Sequence, residues 1–403
     1  MTMLSAIFFA LAALLPAAVA ATQTRVDPAR VERVLRRAAV IDLHCDTTKE
    51  IFEAGYDLGE LHDYNQVDIP RMRRGHVSGV FFASNPPAGA PPLEAMRESI
   101  EHVDAVWREV RRHPAHLVRG VSAEDILTAR KQGRIAILFG LEGGHVIDSN
   151  LAVLRSFYDL GARYMTLVHD RNTPWADAAL DKPAHNGLTN FGLEVVREMN
   201  RLGMMIDVSH ASDKTFWDTL AVTRAPVIAS HSSCRVFSSH PRNMSDDMFR
   251  AVAKNGGVVH INYFNAYLDE DYWKRHRALP TLFPELAVPR PRKRGPERRK
   301  YHADRLAKLG RVPFSRLLDH FEHVAKVAGV DHVGLGSDFD GCQDLLPEGM
   351  EDISKIPNLV RGLMERGFSD SDIEKILGGN TLRAMRQVEK LARSIQTSSS
   401  GRQ

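Results

Sequence analysis

Apolar runs of five to nine residues recur along this chain, and between them lie stretches in which apolar positions return every three or four residues. The runs are AAVID (38–42), VSGVFFAS (77–84), RIAILFGLE (134–142), YMTLVHD (164–170), GMMIDVSH (203–210), APVIASH (225–231), GGVVHINY (256–263) and HVGLGSDFD (332–340). Their near-continuous apolar character is that of strands covered on both faces, as in a parallel sheet. The intervening stretches, such as LAVLRSFYDLGA, NFGLEVVREMNRLG and FSRLLDHFEHVAKVAG, carry helical periodicity, and each reaches a glycine suited to a helix C-terminus. Eight strand–helix units predict an α/β fold, a (β/α)8 TIM barrel.

Three segments stand outside that rhythm. Residues 1–20 are apolar and end in Ala18-Val19-Ala20, the pattern of a secretory signal peptide. The first basic residue is Arg25, so the usual positive start is missing and an uncleaved anchor stays open as the alternative. The expected location is exported, periplasmic or extracellular, with membrane contact only through a retained leader. Residues 25–393 read as one domain, and 394–403, SIQTSSSGRQ, as a flexible tail. The segment 267–312, containing PRPRKRGPERRK, is too long for a connection and reads as a solvated insertion; the alternative is an electropositive lid that attracts anionic substrates or a surface.

Composition adds mainly exclusions. With 43% hydrophobic residues, 26% charged residues and a net charge of +3, nothing points to nucleic acid or a membrane as a global partner. The three cysteines, Cys45, Cys234 and Cys342, are too few and too dispersed for a disulfide framework, and they read as small packing residues.

Barrel enzymes gather their chemistry at the C-terminal ends of the strands. Here the strand runs end on His44 and Asp46, Glu142, His169, His210, His231 and Asp338. On an extended strand His44 and Asp46 share a face, the geometry of a metal clip. The same H-x-D spacing recurs at His102/Asp104, in what reads as a solvated amphipathic helix, and at His302/Asp304, in what reads as a loop. Four imidazoles and three carboxylates in a dry barrel mouth would be costly without a cation to pair them. The donors suit Zn²⁺ first, and manganese, cobalt or iron next. Five ligands are too many for one open tetrahedral site and suit two ions: His44 and Asp46 on one, His210 and His231 on the other, and Glu142 bridging. A water activated between the ions would then be the nucleophile.

The motifs IDLHCDT, GLEGGH, LVHDRNTPWAD, IDVSHAS, VIASHSS, HPRNMSDD, GLGSDFDG and GGNTLRAM, in this order, resemble those of the membrane (renal-type) dipeptidases, zinc peptidases with an amidohydrolase-like barrel. The resemblance spans nearly the whole chain after the leader. It implies the same ligand set, with two Zn²⁺ per chain, and a small dipeptide as substrate. It further implies that His169 contacts the scissile carbonyl and stabilises the oxyanion, that Asp338 moves the proton from water to the leaving amine, and that Arg242 pairs with the substrate carboxylate. Tyr267 matches a substrate-contacting tyrosine, tolerance of a C-terminal D-residue is expected, and so is a homodimer.

Two positions depart from the family pattern: His260, which either lines the pocket or packs as a hydrogen-bonded core residue, and the basic insertion. Two other readings remain open at this point. One is an amidohydrolase for another amide, an N-acyl amino acid or a lactam; the other is a catalytically silent binding barrel.

Overall fold

A computed structural model describes residues 26–400 apart from 292, 294, 343 and 344; the leader at 1–20 lies outside the described residues. Nine strands follow in chain order: β1 (Val40–Cys45), β2 (Val77–Ser84), β3 (Leu117–Arg119), β4 (Ile135–Glu142), β5 (Ala162–Thr166), β6 (Met205–Asp207), β7 (Val227–Ser232), β8 (Val258–Ile261) and β9 (Val333–Leu335). They run in the order β2-β1-β9-β8-β7-β6-β5-β4-β3, and the further pairing of β2 with β4 closes eight of them into the expected barrel. Every strand pair is parallel.

The short strand β3 has no counterpart among the predicted runs. It pairs with residues 135–137 of β4, whereas β5 pairs with residues 139–142, so β3 extends the start of β4 without entering the closed ring. Both faces of the barrel strands are buried, as their sequences require, and the two faces feed different clusters. Ile41, Leu43, Phe81, Ala136, Leu138, Tyr164 and Ile228 belong to one. Val80, Phe82, Ile137 and Phe139 pack with the surrounding helices in the other.

The predicted helix ends hold at Gly161 and Gly203, both in the left-handed region that a residue lacking Cβ enters without strain. Three sequence expectations need correction. His102 lies on the expected helix, Pro92–Arg112, but is fully buried, with Ser84 Oγ at the end of β2 sitting 2.9 Å from its Nδ1 and satisfying that nitrogen inside. His302 is in a helix, Pro296–Leu309, that starts with a proline in its first turn, where the missing N–H costs nothing. Residues 394–400 of the serine-rich tail continue the helix Asn380–Ser400, where Thr397 Oγ1 donates to Arg393 O and Ser398 Oγ to Ser394 O.

The insertion is a folded lobe. Helix Glu270–Leu282 and helix Pro296–Leu309 bury Tyr272, Leu279, Leu286 and Leu309. The Trp273 ring of the lobe lies 4.1 Å from the His240 ring, tilted by 55°, and His240 also lies 4.4 Å from Tyr267, so the lobe borders the wall that carries Arg242. Cys45, Cys234 and Cys342 are free and buried, as expected of packing residues. His260 is also a core residue: its two ring nitrogens lie 3.0 Å from Ala229 O and 3.0 Å from Thr381 Oγ1, which removes it from the pocket wall.

Candidate metal centre at the barrel mouth

Strict alternation would not deliver the observed mouth. Register irregularities fall between Asp42 and Cys45 in β1 and between Ala229 and Ser232 in β7, bracketing His44 and His231. Such bulges re-aim a side chain at a strand end, and the two imidazole rings lie with centroids 3.8 Å apart, tilted by 35°. Asp46 lies beyond β1 as the residue preceding helix Thr47–Ala54, so the clip is formed across a strand end and not along a strand. His169, His210 and Asp338 likewise follow their strands by three residues. His210 and Asp338 hold φ of 67° and 61°, a left-handed backbone that is uncommon for residues other than glycine and that aims both side chains inward.

Glu142 is the hub. Its Oε1 lies 2.9 Å from His210 Nε2, 3.4 Å from His231 Nε2, 3.6 Å from His44 Nε2 and 3.7 Å from His169 Nε2. His44 Nε2 is also 3.5 Å from Asp46 Oδ1. Within this set, His44, Glu142 and His231, then Glu142, His169 and His210, and then His44, Asp46 and Asp338 each bring donor atoms within reach of one cation.

A supporting contact fixes which His231 nitrogen carries the lone pair. Ser230 Oγ donates to Asp207 Oδ2 at 2.5 Å, so it can only accept from His231 Nδ1 at 2.7 Å, which leaves the His231 Nε2 lone pair facing the mouth. Asp170 Oδ1 lies 3.2 Å from His210 Nδ1, and the Nε2 of the same ring faces the mouth. Yet His210 Nε2 and His231 Nε2 are 2.9 Å apart and both face Glu142. Two imidazole nitrogens and a carboxylate oxygen at that spacing suit a cation between them. His44 Nε2 and Asp46 Oδ1 are buried with no hydrogen-bond partner, as open ligand atoms would be. The residues therefore fit a metal centre.

The groups of the mouth are strongly coupled. Burial opposes charge on His44, but Glu142 and Asp46 outweigh it and raise its pKa to about 10. Burial also works against the Glu142 carboxylate, yet His169 and His44 hold its pKa well below the usual range. Burial lowers His169, while burial and then His44 push His231 well down. Burial and the adjacent Asp46 raise the Asp338 carboxyl to about 7, and Asn262 Nδ2 donates to its Oδ2 at 3.0 Å.

Arg242 and Tyr267 complete the set named from sequence. Arg242 is buried; its Nη2 donates to His231 O at 3.3 Å, its Nε and Nη1 have no partner, and its guanidinium stands 5.6 Å from the Tyr267 ring centre. A small cavity lined by His210, Ser232, Arg242 and Asn243 lies alongside.

Sequence reasoning missed the support: Tyr164, whose hydroxyl is 2.8 Å from His44 Nδ1, and Asp207, which accepts from Ser209 N, Ser230 N, Ser230 Oγ and Thr166 Oγ1. The D-V-S-H and S-H-S-S contexts contained the second signal, since a buried acid on one strand and serines on the next imply a shared hydrogen-bond node. Asp207→Asn should lower stability by about 2–3 kcal/mol, because an amide would oppose one of these donors, and weaken metal retention about tenfold to hundredfold through His231. Chemical denaturation and a competitive chelator titration read the two effects separately.

A parallel barrel whose C-terminal mouth gathers four imidazoles around one carboxylate is the frame of a metal-dependent hydrolase. The profile of the membrane dipeptidase family (peptidase family M19) matches residues 28–399, and the chain belongs to that family of metallopeptidases. Among solved structures, the probable dipeptidase PvdM from Pseudomonas aeruginosa shares 28% identity at a TM-score of 0.79, over 91% of this chain and 99% of its own. A metallo peptidase from Rhodobacter sphaeroides, liganded with a phosphinate mimic of the dipeptide L-Ala-D-Ala, shares the fold at 23% identity and a TM-score of 0.70, over 87% and 99%. An amidohydrolase from Pseudomonas aeruginosa does so at 21% and 0.68, over 90% and 99%.

Proposed function

We propose that this chain is an exported, homodimeric dinuclear zinc dipeptidase that cleaves dipeptides with a free C-terminal carboxylate and accepts a D-residue at that position. One observation carries the reading: the imidazole nitrogens converging on Glu142 lie beside a buried guanidinium, that of Arg242, with two nitrogens left open. Family membership supports it, as does the dipeptide mimic held by the Rhodobacter sphaeroides relative of the same fold. His44 and Asp46 would hold one ion, His210 and His231 the other, and Glu142 both. When bound, the ions polarise the scissile carbonyl and acidify the attacking water.

The remaining chemistry belongs to side chains. Arg242 offers a planar fork to the substrate carboxylate, and Tyr267 beside it limits the space beyond. His169, kept neutral by burial, donates a hydrogen bond to the developing oxyanion. Asp338 has its Oδ2 anchored by Asn262; the other oxygen takes the water proton and hands it to the leaving amine. A carboxyl with a pKa near 7 can do both at neutral pH.

The test is zinc content together with hydrolysis of L-Ala-L-Ala and L-Ala-D-Ala before and after chelation. Arg242→Ala should raise KM for either dipeptide about tenfold to hundredfold, the scale of a charge-assisted hydrogen-bonded pair, and leave a C-terminally amidated dipeptide unaffected. Two bound metals without dipeptide turnover would refute the assignment and redirect it to an N-acyl amino acid or a lactam.

A further inference from the structure

We propose that the insertion lobe is a docking surface for an anionic lipid membrane. Residues 267–312 contain 13 Lys and Arg against 6 Asp and Glu, a net charge of +7, while the whole chain carries +3, so the remainder is −4. Charge is therefore segregated: one lobe is strongly positive on an otherwise acidic protein.

The lobe also exposes apolar side chains amid that charge. Leu282, the last residue of helix Glu270–Leu282, and Val288 are each 53% exposed. Between them the turn Pro284–Leu286 is pinned to the second helix: Leu286 is buried, Arg305 Nη2 donates to Leu286 O, Lys308 lies 3.7 Å from Glu285, and its ammonium stands 5.2 Å from the Phe283 ring centre. Leu282 and Val288 thus emerge on either side of a fixed turn. Exposed Arg277, Arg290 and Lys293 surround them in sequence, with Arg277 resting 5.3 Å from the Trp273 ring centre.

Some of the lobe's charge is spent internally, since Lys274 pairs with Glu270 at 3.6 Å and Lys300 with Asp304 at 2.9 Å. Arg290 and Lys293 lie in the strand-free, helix-free stretch after Val288, where their side chains project to solvent. Cations flanking a pair of exposed aliphatics match a bilayer surface, where headgroup phosphates meet the cations and the aliphatic tips enter the acyl boundary. A soluble polyanion would use the charge but give Leu282 and Val288 nothing to do. No helix among the described residues is long and apolar enough to cross a membrane, so this contact would be peripheral.

The experiment is co-sedimentation of the full chain with phosphatidylcholine vesicles made with and without phosphatidylglycerol, across a salt series. The wild type should sediment only with phosphatidylglycerol and be released as salt shortens the screening length. R290E/K293E should lower the bound-to-free ratio at least about tenfold, and L282S/V288S about tenfold. An unchanged melting temperature marks both variants as folded. Equal sedimentation of wild type and both variants, or binding to neutral vesicles, overturns the proposal and leaves the leader as the membrane contact. Loss with R290E/K293E but not with L282S/V288S also overturns it, in favour of a soluble polyanion.

Discussion

Glu142→Gln should leave a folded protein that retains less than the full metal complement and turns over dipeptides at least about a thousandfold more slowly. The substitution keeps the shape of the hub and removes its charge. In the native mouth Glu142 Oε1 faces four imidazole nitrogens between 2.9 and 3.7 Å away. An amide can donate to one of them, so the fold survives, but it cannot bridge two cations or balance them. Elemental analysis and kcat on the same preparation test both halves. Wild-type turnover with full metal would end the bridging assignment; lost turnover with full metal would keep Glu142 in the chemistry and take it out of the ligand set.

Gly341→Ala is expected to cost about a hundredfold in kcat through a single methyl group. A Cβ at Gly341 would stand 2.0 Å from Asp338 Oδ1 and 2.6 Å from Asp46 Oδ2. Both carboxylates would have to give way, and a displacement near 1 Å of Asp338, the proposed proton carrier, would carry that cost. The effect is steric and local, because φ at Gly341 is not in the left-handed region. Arg242 and Tyr267 lie on other segments, so KM should stay near the wild-type value. A kcat loss with constant KM and a nearly unchanged melting temperature supports the steric account; a rise in KM alone would contradict it.

The barrel was legible because its strands are buried on both faces, and a doubly buried strand writes itself as an apolar run. VSGVFFAS coincides with β2 from end to end. The strand β3 was not legible, since three residues, Leu117–Arg119, are too few to carry a pattern. The seven titratable groups at the mouth were found by position, but the way they reach it was not. His210 and Asp338 depend on left-handed backbone, and His44 and His231 on irregular register; neither is encoded by residue type. His102 shows the converse limit: helical periodicity located its helix, while its burial depends on Ser84, 18 residues earlier in the chain.

The three sealed, unpaired thiols make the native protein its own recorder of breathing. Cys45 closes β1, Cys234 follows β7 and Cys342 follows β9, and each is buried. A small alkylating reagent can reach them only through transient opening, so three modification rates would report how often separate arcs of the barrel come apart. Rates that move together on chelation would mark the ions as a clasp on the whole ring, whereas a change at Cys45 and Cys342 alone would confine that clasp to the adjacent strands β1 and β9.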